Sequence, residues 1–168
     1  MKSLKLIPST ILLACLNIAN NLFGKYREVV CNTVIPGDVG LHKDGMVPLK
    51  CITAAITQRY LLVQKGTNDD EFIVNVATTR PWGVITDEAA IDDYANVAIL
   101  GAIRGTVRMV ANAAITVGTP VYTAAAGKVS PTFGATLYMV GRALTAAAAD
   151  GDYIEVVPCF PLLNSATL

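Results

Sequence analysis

Residues 83–158 alternate short apolar, β-branched segments with glycine, and this punctuation constrains the fold more than any other feature of the chain. Gly118–Pro131 reads GTPVYTAAAGKVSP and Val140–Pro158 reads VGRALTAAAADGDYIEVVP. Apolar and β-branched residues fill the segments, while Gly, Pro, Asp and Asn fill the gaps. That grammar predicts a mainly β fold, a small antiparallel β-barrel or sandwich. Further strands are expected over 26–33, 47–56, 59–65, 72–77, 82–86, 95–100, 106–111, 115–117, 121–124, 128–130, 137–144 and 153–158. Turns fall at Ile35–Asp38, Asp44–Gly45 and Gly66–Asp70, where Pro presets φ and Gly permits its positive range.

An internal echo runs through this region. Gly83–Ala98 (GVITDEAAIDDYANVA) resembles Gly141–Val157 (GRALTAAAADGDYIEVV) once a single gap is allowed. Both read strand, Ala-rich link, acidic turn, Tyr, strand. Either one strand–loop–strand device is used twice, or Ala-rich sequence produces the likeness by chance. Each Ala-rich link has the composition for a single helical turn.

The chain has 168 residues, which suits one domain with an appended arm. Its expected organisation is an apolar N-terminal arm over 1–25, a β-barrel over 26–160 and a surface tail over 161–168. Hydrophobic residues make up 53% and charged residues 15%, against about 25% charged in typical soluble domains. So much apolar surface implies coverage in an assembly. The thirteen basic and thirteen acidic residues cancel, and no basic stripe provides the electrostatic footprint of a nucleic-acid binder.

Three readings compete for the N-terminus. Lys2 and Lys5 precede an apolar run ending Leu12–Cys15 (LLAC), the pattern of a secretory signal or a lipoprotein box with Cys15 acylated. Pro8, Ser9 and Thr10 interrupt that run early. A membrane span is disfavoured, because Asn17, Asn20 and Asn21 fall where the required ~20 apolar residues would continue. The favoured reading is a short helix over 9–23, capped by Ser9 or Thr10 and ended by Gly24. Ile11, Leu12, Cys15, Ile18, Ala19, Leu22 and Phe23 recur at helical spacing and share one face. That face needs a partner surface, since an isolated helix of this length is marginal in water.

Little in the chain could do chemistry. His42 is the one histidine, and no acidic or cysteine neighbour in sequence orients it. Cys15, Cys31, Cys51 and Cys159 lack ligand spacing; Cys31, Cys51 and Cys159, in apolar strand-like contexts, read as buried filler, with a disulfide framework as the alternative. Asp69–Glu71, Asp87–Glu88, Asp92–Asp93 and Asp150–Asp152 read as solvated turns, because none has calcium-loop spacing. No phosphate loop follows a strand, and Ser130 and Ser165 lack nucleophile-elbow glycines. Trp82 at a strand start reads as core, with a stacking platform as the alternative. Arg104 and Arg108, at alternate positions about Gly105, are expected on one side of a sheet as candidate interface ion-pair residues. No metal, cofactor or enzymatic activity is expected.

From about Thr79 to Pro158 the chain resembles the tailed-phage capsid decoration, or cement, proteins. The matching pieces are Trp82–Ala90, Val97–Gly101, Gly105–Val107, Ile115–Ala124, Gly127–Val129 and Val140–Leu144, in that order. The resemblance implies a virion protein on the outer surface of the capsid, made in the host cytoplasm. Its partners would be the major capsid protein, whose neighbouring subunits it cements, and itself in a homotrimer, with no nucleic acid or membrane involved. The apolar leader at 1–25 departs from the family pattern. A secreted or lipid-anchored bacterial β-domain is the alternative.

Overall fold

The computed structural model describes residues 44–164. The arm with its helix over 9–23, the strand expected at 26–33, Cys15, Cys31 and His42 all lie outside those residues. Ten strands follow: β1 Met46–Cys51, β2 Leu62–Lys65, β3 Glu71–Val74, β4 Gly83–Ile85, β5 Tyr94–Ile99, β6 Val107–Val110, β7 Pro120–Thr123, β8 Val129–Ser130, β9 Tyr138–Ala143 and β10 Tyr153–Leu163. One 3-10 turn, Ala125–Gly127, separates β7 from β8.

The first five strands close a barrel in the order β1-β3-β2-β4-β5. Closure is made by β1, antiparallel to β5 over Met46–Lys50 and parallel to β3 at Lys50 and Cys51. Pro48 sits where β1 has only β5 beside it, a place that tolerates a missing N–H. The interior is filled by Leu49, Val63, Phe72, Ile85 and Val97, all buried. The other five strands form a sheet in the order β6-β10-β9-β7-β8.

The two halves share one plan. β1 to β5 correspond in order to β6 to β10, and the neighbours within each sheet are the same. Registers agree as well. Leu62 pairs with Val84 and Val63 with Gly83, as Pro120 pairs with Arg142 and Val121 with Gly141. The parallel closure of Cys51 on Phe72 recurs as an isolated parallel bridge, Ala111 to Val129. The left-handed residues Tyr60 and Asp92 are matched by Gly118 and Gly151. Equivalent glycines stand in equivalent crowding. A Cβ on Gly83 would lie 2.4 Å from the Ala98 carbonyl oxygen, and one on Gly141 would lie 2.4 Å from that of Val157.

The internal echo is therefore one device used twice, and its Ala-rich links are extended rather than helical. Each link makes one antiparallel bridge, Ala89 to Ile56 in the first half and Ala147 to Ile115 in the second. Ile115 to Val117, expected as a strand, contributes only that bridge. The strand expected over 47–56 ends at Cys51.

The second half covers the first. Leu62, Val84, Ala98 and Leu100, on the outer side of the first barrel, belong to the same buried cluster as Val107, Met109, Val121 and Val156. Apolar positions therefore occupy both faces of β2, β4 and β5, giving near-continuous runs such as Leu61–Val63 and Val97–Leu100. Part of the apolar excess in the composition is spent here, inside the molecule.

The tail expected from residue 161 is corrected. β10 runs on to Leu163, pairing Leu162 with Met139 and Leu163 with Tyr138 after an irregularity. Pro158 and Pro161 are accommodated because β6 leaves β10 at Val156, so this stretch has one strand neighbour. Pro161 is buried.

Candidate interaction surface

The acidic groups hold turns. Asp87 Oδ2 accepts from Asn96 Nδ2 at 2.9 Å and from the Asn96 N–H at 3.3 Å. Asp152 Oδ2 accepts from the N–H groups of Ala148 and Ala149 at 2.8 and 3.0 Å. Asp92 pairs with Lys50 at 2.7 Å, Asp69 with Lys65 at 2.8 Å and Asp150 with Lys128 at 2.7 Å. The hydrogen bond to Asp92 raises the Lys50 ammonium above its usual range, and bonds from Asn68 lower the Glu71 carboxyl. Among the described residues no three His, Cys, Asp or Glu side chains gather into a metal-binding group.

Cys51 is buried and Cys159 half-buried, both as free thiols. Burial is the first cause raising each thiol above its ordinary range. Neither resembles an activated nucleophile, which needs a lowered value.

Arg108 lies on β6, exposed, in register with Glu155 of β10. Arg104 lies outside the strand. It sits in the connection before β6, which Gly105 interrupts at φ +90°. The ion pairs among the described residues are made by other cations, Lys50, Arg59, Lys65 and Lys128.

Trp82 corrects its core assignment. It is 38% exposed and lines an apolar cleft of about 460 Å³ with Val47, Ile99, Leu100, Phe160 and Pro161. The strand N–H of Trp82 donates to the Val63 carbonyl at 2.8 Å, which fixes the residue at the mouth of β4. Lys65 Nζ stands 5.8 Å from its ring centroid, and the Arg80 guanidinium stands 4.2 Å from that of Phe160. Sequence reasoning missed this cleft because the last strand is expected to end at 158 and Pro161 falls in the expected tail.

A second concave apolar area of about 390 Å³ lies on the outer side of β9 and β10, lined by Val117, Met139, Arg142, Leu144, Val157 and Cys159. Arg142 Nη1 donates to the Gly118 carbonyl at 2.7 Å, tying the guanidinium to its own chain. Val117 and Val157 are 58% and 46% exposed. The signal was present in sequence as Val156–Val157 and Leu144, apolar at consecutive rather than alternate positions. Both surfaces are concave and lined mainly by apolar side chains.

Comparison with known proteins agrees with that character. A solved structure, the head fiber gp8.5 N base of bacteriophage phi29, shares the fold with a TM-score of 0.55 at 20% identity. The match covers 70% of this chain and 96% of that one. No curated protein sequence matches the chain significantly. The family model for phage cement proteins matches residues 42–158, so the likeness begins well before Thr79 and spans both halves of the repeat. The chain belongs to the phage cement protein family.

Proposed function

We propose that this phage structural protein binds the outer surface of a capsid and ties neighbouring major capsid subunits together, without catalysis. The family match over residues 42–158 carries the reading. Two apolar concavities on the described surface support it, as does the use of its acidic groups as turn braces. The similar phi29 protein is a head fiber base, which points to the same location. The mechanism is multivalent. Modest contacts to several coat subunits at once must break together before the shell opens. In this reading the chain acts as a homotrimer, and residues 1–25 form the arm that docks by Ile11, Leu12, Cys15, Ile18, Ala19, Leu22 and Phe23, while Arg104 and Arg108 lie at the rim of the contact.

Adding the full-length protein to undecorated heads tests the reading. Saturable attachment is expected, with a higher temperature of head opening. No attachment at any excess refutes it. Leu12→Asp with Leu22→Asp weakens attachment if the arm docks, because an unpaired buried charge is costly. Unchanged attachment removes the arm from the contact.

A further inference from the structure

The cleft at Trp82 is set by the fold before anything enters it. The Trp82 N–H donates to the Val63 carbonyl at 2.8 Å, and the Trp82 carbonyl accepts from the Leu100 N–H at 3.0 Å, so both of its backbone groups are engaged. On another wall, Phe160 lies against the turn after β5. A Cβ on Gly101 would stand 2.9 Å from Phe160 Cδ2 and 3.3 Å from its Cα, and Gly101 has φ +86°. The two aromatic side chains, 38% and 58% exposed, therefore stand on fixed backbone and open onto the cleft of about 460 Å³. Pro81 and Pro161, which also line it, carry no N–H. A partner is met here by side chains rather than by a strand edge.

The charge at this cleft is one-sided. Among the described residues that line it, Arg80 alone is charged. Its guanidinium stands over the Phe160 ring, 4.2 Å from the centroid, and a guanidinium stacked on a ring keeps its N–H donors at its edge. Lys65 Nζ, 5.8 Å from the Trp82 ring centroid, is a second cation, already paired with Asp69 at 2.8 Å. Arg80 makes no ion pair among the described residues. An occupant that fills the cleft takes water from that guanidinium. A neutral apolar occupant leaves its donors without acceptors, which costs free energy, and a cationic one adds repulsion. A carboxylate restores the bonds, in the two-pronged form that a guanidinium favours.

We infer that the Trp82 cleft receives an exposed loop of the major capsid subunit that presents an apolar side chain beside an Asp or Glu. The apolar side chain seats against Trp82 and Phe160, and the carboxylate pairs with Arg80. The inference rests on the capsid reading above and names the chemistry of the contact. Tryptophan and arginine at a well-formed pocket are the residue types that dominate interface energetics.

The test uses the full-length protein and undecorated heads, with attachment read by co-sedimentation over a range of salt concentrations. Each variant must keep a cooperative thermal melt, and Phe160→Ala replaces Trp82→Ala if the latter loses it. Trp82→Ala is expected to weaken attachment about 30-fold, the scale of an interface anchor. Arg80→Glu is expected to weaken it about tenfold or more and to flatten its salt dependence. Arg80→Lys keeps the charge and supplies an amine. A carbodiimide, which joins an amine to a carboxylate in contact with it, is then expected to couple position 80 to an Asp or Glu of the coat, read by mass spectrometry of the cross-linked peptide. Attachment unchanged by Trp82→Ala overturns the inference. So does a loss at Trp82→Ala with none at Arg80→Glu, which means a neutral occupant. Decorated heads in which position 80 couples to nothing, or to a second copy of this chain, overturn it as well. In each of these cases the heads are still decorated and the capsid reading stands. A wild type that fails to attach removes the capsid reading itself, so the two failures are told apart.

Discussion

Gly141→Ala is the sharpest probe of the packing. The new methyl would lie 2.4 Å from the Val157 carbonyl oxygen and 2.5 Å from Val156 Cγ1, whereas real Cβ contacts essentially never fall below 3.0 Å. Neither obstacle is the free end of a flexible side chain, since one is backbone of β10 and the other a buried branched residue. The strands must part by several tenths of an ångström. Overpacking of this kind costs about 1–3 kcal/mol, and a weakened ladder bond in a buried sheet adds about 1 kcal/mol. Reduced freedom of the unfolded chain returns about 0.4–1 kcal/mol. The net loss is about 1–3.5 kcal/mol. Urea unfolding followed by circular dichroism reads it as a lower midpoint at unchanged slope. Gly83→Ala meets the Ala98 carbonyl and Val97 Cγ1 at the same 2.4 and 2.5 Å, so its loss should agree within about 1 kcal/mol, the usual context spread for one kind of substitution. Gly118→Ala is the control. Nothing lies within 4 Å of its Cβ and its φ is +80°, so it loses only the backbone preference, about 1–2 kcal/mol. A loss below about 0.5 kcal/mol at Gly141, the size of an ordinary surface substitution, refutes the strand approach. A large loss at Gly83 with none at Gly141 refutes the equivalence of the halves.

Phe72, with 0% exposure inside the first barrel, is expected to cost about 3–5 kcal/mol as Phe72→Ala; a thermal midpoint unchanged in calorimetry would mean that the barrel collapses around the gap. The lowered carboxyls of Glu71 and Asp69 predict the sign of an acid effect. Their contribution is fully present above the unfolded values near pH ~4 and is lost as pH falls through the lower folded ones. Glu71→Gln should therefore narrow the stability difference between pH ~7 and ~3, and a wider difference in the melting profiles would reverse the assignment.

The sequence by itself determined the class of element nearly everywhere from residue 46 to 158. Period-two patterning sets which side of each strand is apolar, and glycine, proline and aspartate stop the strands, both local effects. It also carried enough ordered short matches to reach the family. Half of the repeat was legible as the echo of 83–98 in 141–157. The other half was not, because Leu49, Cys51 and Phe72 correspond to Met109, Ala111 and Val129, which share apolarity but not identity. Only the tertiary structure decided that the first barrel is covered on its outer face while, among the described residues, no strand covers the matching outer face of the second half. Apolar content marks a surface for burial but does not specify the partner. The same reason moved Trp82 from core to cleft. A strand-start tryptophan is buried only if another element covers it, and here the late stretch of β10 brings Phe160 beside it and leaves the cleft open. That stretch was hidden by its prolines, which read as breakers until the sheet showed β10 with a single neighbour, where a missing N–H costs nothing.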